Sequence, residues 1–263
     1  MLTSCKPLRE PSQAAVHLNP IPISGSCLIS NEMLVSALRE IRPINLREQV
    51  VDHIRLAIIE GRLKPGDHMV EAQLTQQLGV SRTPLREALI LLEREGLVET
   101  IPNRGTFVRS FTSSDIEAIF SMRTVLEDFA AERIVATLTA QDYKALEALI
   151  KEQATFIKAD DFKRVRSVDM QFHRYLIERS SHPHLFRSWS EIVAQIAALL
   201  YLRAETSHYD EARVIADHKK ILEAYKAKNL NAIKAANKHI NERVANECRK
   251  ALEVSRGLSA RIP

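Results

Sequence analysis

Residues 79–89 read GVSRTPLREAL and concentrate cations and hydroxyl groups where a helix is expected to start. Pro84 suits the first helical turn, because its missing N–H group would lack a partner there anyway. Ser81 can cap that turn through its hydroxyl group. Since the positive end of a helix attracts anions, the stretch predicts contact with a nucleic-acid phosphate or a guanine edge. The alternative is an ordinary, well-capped surface helix.

Apolar spacing and turn residues around this stretch predict three helices in a row. The first begins after Asn45 and ends at Gly61, and a turn over 64–67 separates it from a short second helix. Gly79 closes the second helix and Gly96 closes the third. The expected buried stripe of the first helix is Leu46, Val50, Ile54 and Ile58.

A β-hairpin is predicted directly after the third helix. Its two short strands cover 97–101 and 106–109. Helix, short helix, helix and hairpin form a winged helix-turn-helix, which we expect over 43–111. The leucines of the third helix that are expected in the core of this unit are Leu85, Leu89 and Leu92.

After residue 112 the sequence shows no strand-like alternation and predicts helices only. We expect a six- or seven-helix bundle over 112–255, a mainly α fold, and a short tail over 256–263. Residues 1–42 hold four prolines among polar residues and predict a mostly mobile tail. The predicted bundle helices are 113–137, 139–158, 160–180, 183–205, 209–228 and 230–254, with Ser114, Thr139 and Ser207 near expected starts.

Composition excludes some classes of protein. No apolar run approaches the ~20 residues that span a bilayer, and the N-terminus shows no signal-peptide pattern. The cysteines, Cys5, Cys27 and Cys248, are widely spaced, which indicates a reducing, cytoplasmic location without a disulfide framework. The net charge of +4 favours a polyanionic partner only weakly, because residues 43–111 hold nine basic and nine acidic residues. Any DNA contact must therefore depend on the local placement of charge.

Residues 46–111 resemble the DNA-binding domain of GntR-family bacterial regulators, above all in the stretches EGRLKPGD, LGVSRTPLREAL and EGLVE…NRGTFV. The helical remainder resembles the FCD effector domain of the FadR-type branch. The resemblance implies a homodimeric cytoplasmic regulator that binds a palindromic operator in double-stranded DNA. It also implies that the helical domain senses a small organic acid, with repression relieved by that effector as the expected sign.

In such a regulator the third helix enters the major groove with its N-terminal end nearest the bases. Arg82 and Arg86 lie one turn apart on one face, and either can make a bidentate contact to guanine. Ser81 and Thr83 are better suited to phosphates. Arg104, at the hairpin tip, can reach a minor groove or can be a solvated turn residue. The expected DNA-contacting residues are Ser81, Arg82, Thr83, Arg86, Arg104 and Gly105.

Three histidines and one aspartate are expected to face the bundle interior. His173 follows Asp169 by four residues, so both project from one helical face. His218 and His239 are expected on inward faces of later helices. Each alone is more often a hydrogen-bonded core residue, but together they suggest a metal site of the kind built inside bundles.

The metal-binding members of the FCD family use an Asp and a His four apart together with two His from later helices. The resemblance therefore implies Asp169, His173, His218 and His239 as metal ligands. One departure from the family pattern is the turn KAKNLN before the last helix, which is a residue short and bears on His239. The ligand set does not distinguish Zn²⁺, Ni²⁺ and Mn²⁺.

A small carboxylate could complete the coordination of this metal. Arg123 matches the arginine of the family's first bundle helix and could pair with the carboxylate of the effector. The alternative for Arg123 is a salt bridge with Glu127. Two other interpretations of the bundle are a metal-dependent hydrolase and a purely structural dimerisation module. No role is assigned to His17, His53, His68, His182, His184 and His208.

Overall fold

The computed structural model describes residues 46–206 and 210–259 of the chain. The predicted tail over 1–42, the cap at Asn45 and the helix start near Ser207 lie outside the described residues. Within the described ranges, no helix is both long and apolar enough to cross a membrane. In chain order the elements are α1 (Leu46–Ile59), α2 (Glu71–Leu78), α3 (Arg82–Arg94), β1 (Val98–Ile101), β2 (Gly105–Val108), α4 (Ser113–Ile134), α5 (Ala140–Lys158), α6 (Phe162–Arg179), α7 (Pro183–Thr206), α8 (Glu211–Lys226) and α9 (Leu230–Ser259).

The winged helix-turn-helix has the predicted order of elements. Gly79 ends α2 with a φ of +64°, a left-handed conformation that favours glycine. β1 and β2 pair antiparallel, and Val98 lies opposite Val108. The three core leucines of α3 are buried, which confirms their prediction. The predicted stripe of α1 is wrong at its first position, because Leu46 stands at the very start of the helix and is 45% exposed.

The described bundle helices α4 to α9 follow the predicted bounds within a few residues. Thr112 caps α4 by a reciprocal pair of bonds with Asp115, so Ser114 lies inside the first turn. Thr139 caps α5 in the same way, as predicted. Residues 256–259 belong to α9 and not to a tail. The bundle core includes Ile116, Leu146, Phe172, Ile196 and Ile233.

Helix α7 of the bundle packs against the winged helix-turn-helix. Its Ala194 is buried in the hydrophobic core of the winged unit. Gly61 packs against Tyr201 and Gly96 against Gln195, each so closely that a Cβ atom would collide. At Gly96 that Cβ would lie 2.7 Å from Gln195 Nε2. The winged unit therefore packs tightly on one helix of the bundle.

Candidate metal centre and DNA-contacting surface

Helices α6 and α8 bring three of the four predicted metal ligands together. Asp169 and His173 project from one face of α6, and His218 comes from α8. His218 Nε2 lies 3.4 Å from His173 Nε2 and 3.3 Å from Asp169 Oδ1. One potential ligand atom from each residue lies within 4.8 Å of the other two. We refer to Asp169, His173 and His218 as the His/Asp cluster.

The Nδ1 atom of each histidine makes a hydrogen bond to a residue outside this cluster. His173 Nδ1 lies 2.9 Å from Glu127 Oε1, and His218 Nδ1 lies 2.8 Å from Gln153 Oε1. Gln153 Nε2 in turn donates to the carbonyl oxygen of Val165 at 3.3 Å, which orients the amide. The Nε2 atom of His218 therefore faces both the Asp169 carboxylate and the Nε2 atom of His173. Either a proton on His218 Nε2 or a metal ion between the three groups can satisfy these contacts.

Electrostatics favour a neutral His173 and an ionised Asp169. Burial lowers the pKa of His173, and the positive charge of Arg123 lowers it further, so the ring is neutral near pH 7. Burial alone would raise the pKa of Asp169, but a hydrogen bond from His218 and the neighbouring positive charges outweigh it. The pKa of Asp169 therefore lies well below its usual value. Neutral imidazole and ionised carboxylate are the forms that ligate metals.

The fourth predicted ligand does not belong to the cluster. His239 is exposed, whereas its neighbour Ile240 is buried in the bundle core. Because consecutive helical residues point about 100° apart, the phase of α9 that buries Ile240 turns His239 outward. The prediction of an inward His239 is therefore wrong. Asn241 of α9 is buried and contacts the surroundings of the cluster through Glu127, because its Nδ2 donates to Glu127 Oε2 at 3.0 Å.

Two residues that hold the imidazole rings of the His/Asp cluster were not predicted as part of the metal site. Glu127 entered the sequence-based prediction only as a possible ion-pair partner of Arg123, and Gln153 entered it not at all. The ion pair is present: Arg123 is 2% exposed, and its Nε donates to Glu127 Oε1 at 2.7 Å. Spacing of four residues on α4 signalled Glu127, but a lone glutamine on the amphipathic α5 carries no comparable signal.

A small cavity of about 20 Å³ adjoins the cluster. This volume is enough for an ion or a single water molecule but too small for an organic acid. Its wall includes Arg123 and two further guanidinium groups, those of Arg203 and Arg243. Arg243 pairs with Asp217 and Glu247, and its buried Nε has no hydrogen-bond partner among the described residues. The surroundings of the cluster are therefore rich in anion-binding groups.

The start of α3 presents the predicted DNA-contacting groups to solvent. Ser81, Arg82 and Thr83 are all exposed. Ser81 occupies the N-cap position with an extended backbone, but its side chain makes no capping hydrogen bond. Ser81 therefore stands at the predicted position, but the predicted hydrogen bond from its hydroxyl to the first turn is not formed. An exposed hydroxyl beside the helix N-terminus suits a phosphate oxygen.

Arg86 is paired within the winged unit. Its Nε donates to both carboxylate oxygens of Glu71 on α2, at 2.9 and 3.0 Å. Both side chains are substantially exposed. Exposed ion pairs contribute only about 0–1 kcal/mol, so Arg86 can exchange Glu71 for a phosphate or a base at little cost.

His68, to which the sequence analysis assigned no role, precedes α2 and packs against the hairpin, or wing. Gly105 has a φ of +100°, and a Cβ on it would lie 2.6 Å from His68 Nε2. His68 stacks on Phe107 with ring centroids 4.6 Å apart. The Arg104 guanidinium lies 5.8 Å from the centroid of the same ring. Arg104 and His68 therefore flank one aromatic ring at the exposed end of the wing.

Acidic residues of the winged unit are engaged in bonds within the protein. Glu95 accepts a hydrogen bond from Arg55 Nε at 2.8 Å, and Glu93 accepts one from the Thr100 N–H at 2.9 Å. Arg109 lies half-buried and donates to an aspartate at the start of α4. Arg109 is therefore not part of the exposed basic surface. Although the winged unit has equal numbers of basic and acidic residues, Arg82 at the start of α3 and Arg104 on the wing are both exposed.

Comparisons with known proteins match two segments of the chain to known families. Residues 46–108 match the family of bacterial regulatory proteins called the gntR family, and residues 118–242 match the FCD domain. The chain is 28% identical over 202 residues to the uncharacterized HTH-type transcriptional regulator YdhC of Bacillus subtilis, covering 76% of this chain and 88% of the relative. It is 25% identical to the gluconate operon transcriptional repressor of the same species, covering 69% of this chain and 76% of the relative.

A solved structure extends this likeness to the fold. The structure of Escherichia coli McbR/YncC superposes with a TM-score of 0.68 at 25% identity, covering 78% of this chain and 97% of that one. Both the winged helix-turn-helix and the helical domain thus have counterparts among transcriptional regulators. The chain belongs to the GntR family of transcriptional regulators and carries an FCD domain after its winged helix-turn-helix.

Proposed function

We propose that this regulator is a homodimeric repressor whose operator binding responds to a small carboxylate bound beside a metal ion. The observation that carries the proposal is the convergence of His173 Nε2, His218 Nε2 and the Asp169 carboxylate. Glu127 and Gln153 hold the opposite ring nitrogens, as residues around metal-binding histidines commonly do.

The donor set fits a divalent transition metal. Two imidazole nitrogens and one carboxylate oxygen suit Zn²⁺, Ni²⁺ or Mn²⁺, and the set does not select one of them. When bound, such an ion offers its remaining coordination positions to an anionic oxygen. Glu127 and Gln153 would keep the imidazole rings oriented, since each accepts from an Nδ1 atom.

The effector proposal depends on the arginines beside the cluster. Arg123 remains the candidate that the family resemblance implies, although it bonds Glu127 here. Arg203 and Arg243 lie in the same cavity wall, and Arg243 can exchange an intramolecular carboxylate for that of the effector. Because the cavity is only about 20 Å³, a carboxylate must displace side chains of α7 or α9 to enter. That displacement is the means by which binding would favour one arrangement of the bundle over another.

The DNA-binding proposal rests on the exposed groups of α3 and the wing. Arg82 would read a base edge, Ser81 and Thr83 would contact phosphates, and Arg86 would leave Glu71 to join them. Arg104 beside Gly105 would reach a minor groove. The sign of regulation is supported by the relative that is named a repressor of the gluconate operon.

The metal proposal has a direct test with a matched control. Purified protein should contain about one transition-metal ion per chain, and chelation should lower its melting temperature because the ion binds only the folded state. His218→Ala should remove the ion, whereas His239→Ala should retain it, because His239 is exposed and outside the cluster. Metal affinity should also fall below about pH 6, where imidazoles protonate. Wild-type protein purified without chelator that carries no metal and still responds to its effector would contradict the proposal.

The effector class is tested by a thermal-shift screen of small carboxylic acids on metal-loaded and metal-stripped protein. A hit should raise the melting temperature of the loaded form only. The same hit should release DNA that the protein has selected from a random duplex pool. A carboxylate that stabilises both forms equally would separate effector binding from the metal.

A further inference from the structure

A second and much larger cleft lies between the winged unit and the bundle. Its volume is about 580 Å³, within the range of small-molecule sites. Helix α1 forms one wall, and helices α6 and α7 form the other. The cleft is separate from the His/Asp cluster, although Leu200 of α7 borders both.

The floor of the cleft is apolar. Met170 of α6, Trp189 and Val193 of α7, and Leu56 and Ile59 of α1 line it. Leu56 is 49% exposed, a high value for a leucine that lies between two packed units. A ligand body seated here would cover apolar surface that now faces water, which is favourable by about 25 cal/mol per Å².

The rim of the cleft is cationic. Its lining contains the basic side chains Arg55, Lys163, Arg166 and Arg174 against only two carboxylates, those of Glu60 and Glu95. The two carboxylates pair with Lys163 and Arg55. Arg174 is more than half exposed and bonds a glutamate outside the lining, and Arg166 stacks on Tyr201 at 5.3 Å. Basic side chains therefore outnumber the carboxylates of the lining by two, and an anion that displaced Glu178 from the exposed Arg174 would complement them.

A buried hydrogen-bond donor lies in the same wall. Trp189 is 2% exposed, and its Nε1 has no acceptor among the described residues. An unpaired buried donor is unfavourable by about 1–3 kcal/mol. A ligand acceptor could reach this N–H only after the wall of the cleft had rearranged.

From these features we propose that the cleft binds a small amphipathic organic acid with a flat apolar body. The body would lie on Met170, Val193 and Leu56, and the acidic group would face Arg166 and Arg174. Such a ligand would contact α1 of the winged unit and α6 and α7 of the bundle at once. It would thereby stabilise the packing of the reading unit on α7, independently of the metal centre.

The probe for this site is 1-anilinonaphthalene-8-sulfonate, an aromatic anion, and its matched neutral analogue is N-phenyl-1-naphthylamine. Trp189 is the single tryptophan of the chain, so its emission reports on the cleft directly. The anion should bind saturably, at about one molecule per chain, and should quench Trp189. Ala197→Phe, which fills the cleft, should weaken binding at least about tenfold. The control Ala235→Phe, on an exposed site of α9, should not.

Charge dependence is tested with the two probes together. Arg174→Gln should weaken binding of the anion about threefold or more and leave binding of the neutral analogue unchanged. Leu56→Glu is a second variant at an exposed site, where folding is insensitive to the change, and it should repel the anion. Several equivalent anions per chain, unquenched Trp189, or full affinity in both Ala197→Phe and Leu56→Glu would overturn the proposal.

The metal proposal and the cleft proposal fail separately. His218→Ala and metal-stripped protein should bind the aromatic anion with wild-type affinity, because the His/Asp cluster lies outside the cleft. Loss of anion binding in His218→Ala protein that still unfolds cooperatively would overturn the assignment to the cleft. If protein without metal still binds the aromatic anion, the result supports the cleft as the binding site and shows that it does not depend on the metal.

Discussion

Arg82 and Arg94 stand near opposite ends of α3, and both are exposed. Only Arg82 lies at the N-terminal end that enters a major groove. Arg82→Ala should therefore weaken binding to selected duplex by about 1–3 kcal/mol, and Arg94→Ala should change it little. Fluorescence anisotropy with DNA selected by the wild-type protein measures both. Equal small losses in the two variants would remove the assignment of α3 as the reading helix.

Asp142 is the second residue for which the structure predicts a measurable effect. It is 4% exposed and accepts hydrogen bonds from Thr139, Tyr175 and Arg179. Burial would raise its pKa, but these bonds and the charge of Arg179 lower the pKa to about 2. Because the folded pKa lies below the unfolded value near 3.9, the ionised form stabilises the fold above about pH 4 and this stabilisation disappears as the pH falls towards 2.

Asp142→Asn should accordingly lower the free energy of unfolding by about 2 kcal/mol at pH 7 and by about half as much near pH 3. Urea titrations at the two pH values measure the difference. Asp160→Asn is the matched control, because Asp160 is exposed and its φ of +52° suits asparagine. A loss at Asp142 that does not vary with pH would show that shape, not charge, accounts for its role.

Sequence reasoning at the residue scale succeeded where spacing within one helix decided the outcome. Asp169 and His173, four residues apart, converge as predicted. It was wrong for His239, because assigning the phase of a helix one residue off turns a side chain by about 100°. Gln153 escaped prediction because its role comes from a contact 65 residues away along the chain.

Helix α7 carries the close apolar contacts of the bundle with the winged unit. Gly61 and Gly79 both adopt left-handed φ values, +67° and +64°. A Cβ at Gly61 would collide with the ring of Tyr201, whereas a Cβ at Gly79 would meet nothing within 4 Å. Substituting Gly79 therefore tests backbone strain alone, whereas substituting Gly61 tests backbone strain together with close packing.

Gly79→Ala should lower the free energy of unfolding by about 1 kcal/mol, the cost of a left-handed alanine. Gly61→Ala should lower the free energy of unfolding by about 1–3 kcal/mol more than Gly79→Ala does, because Tyr201 must move. In a double-mutant cycle, Tyr201→Ala should recover most of that further cost. Identical losses for the two glycine variants would mean that α1 does not depend on α7 for its position.

The bounds of the elements followed from the sequence, since caps and glycines act locally. Thr139 and Gly79 are both found in the predicted roles. The packing of the winged unit on α7 did not follow from it. Small residues such as Ala194 and Gly96 leave no periodic signal, and their partners are set by the shape of the packed helices. The cleft at this junction was unpredictable for the same reason.

At the scale of the whole molecule, α6 and α7 link three surfaces. Helix α6 contributes Asp169 and His173 to the His/Asp cluster and Met170 to the cleft. Leu200 of helix α7 lies beside both sites, and Ala194 of the same helix packs into the core of the winged unit. A shift of either helix at the His/Asp cluster would therefore reach the winged unit without an intervening element.

The other partner expected for the molecule is a second copy of the chain. Helix α4 exposes Met122, Val125 and Phe129, whose relative exposures are 48%, 62% and 40%. Their spacing of three and four residues gives one apolar stripe, the pattern of a helix that packs on a partner. Two copies are also needed to place two reading helices on half-sites about 10 base pairs apart.

Light scattering should therefore give a mass near twice the 29.8 kDa of one chain. Val125→Glu should shift the mass towards that of the monomer, because the carboxylate would be buried against a second apolar stripe. Val254→Glu is the matched control, since Val254 is 48% exposed on α9 and lies outside the stripe. The monomeric variant should bind selected palindromic DNA more weakly and its half-site about as well as the wild type does, because the reading helix of each chain is unchanged. A dimer that survives Val125→Glu but not Val254→Glu would move the interface from α4 to the end of α9.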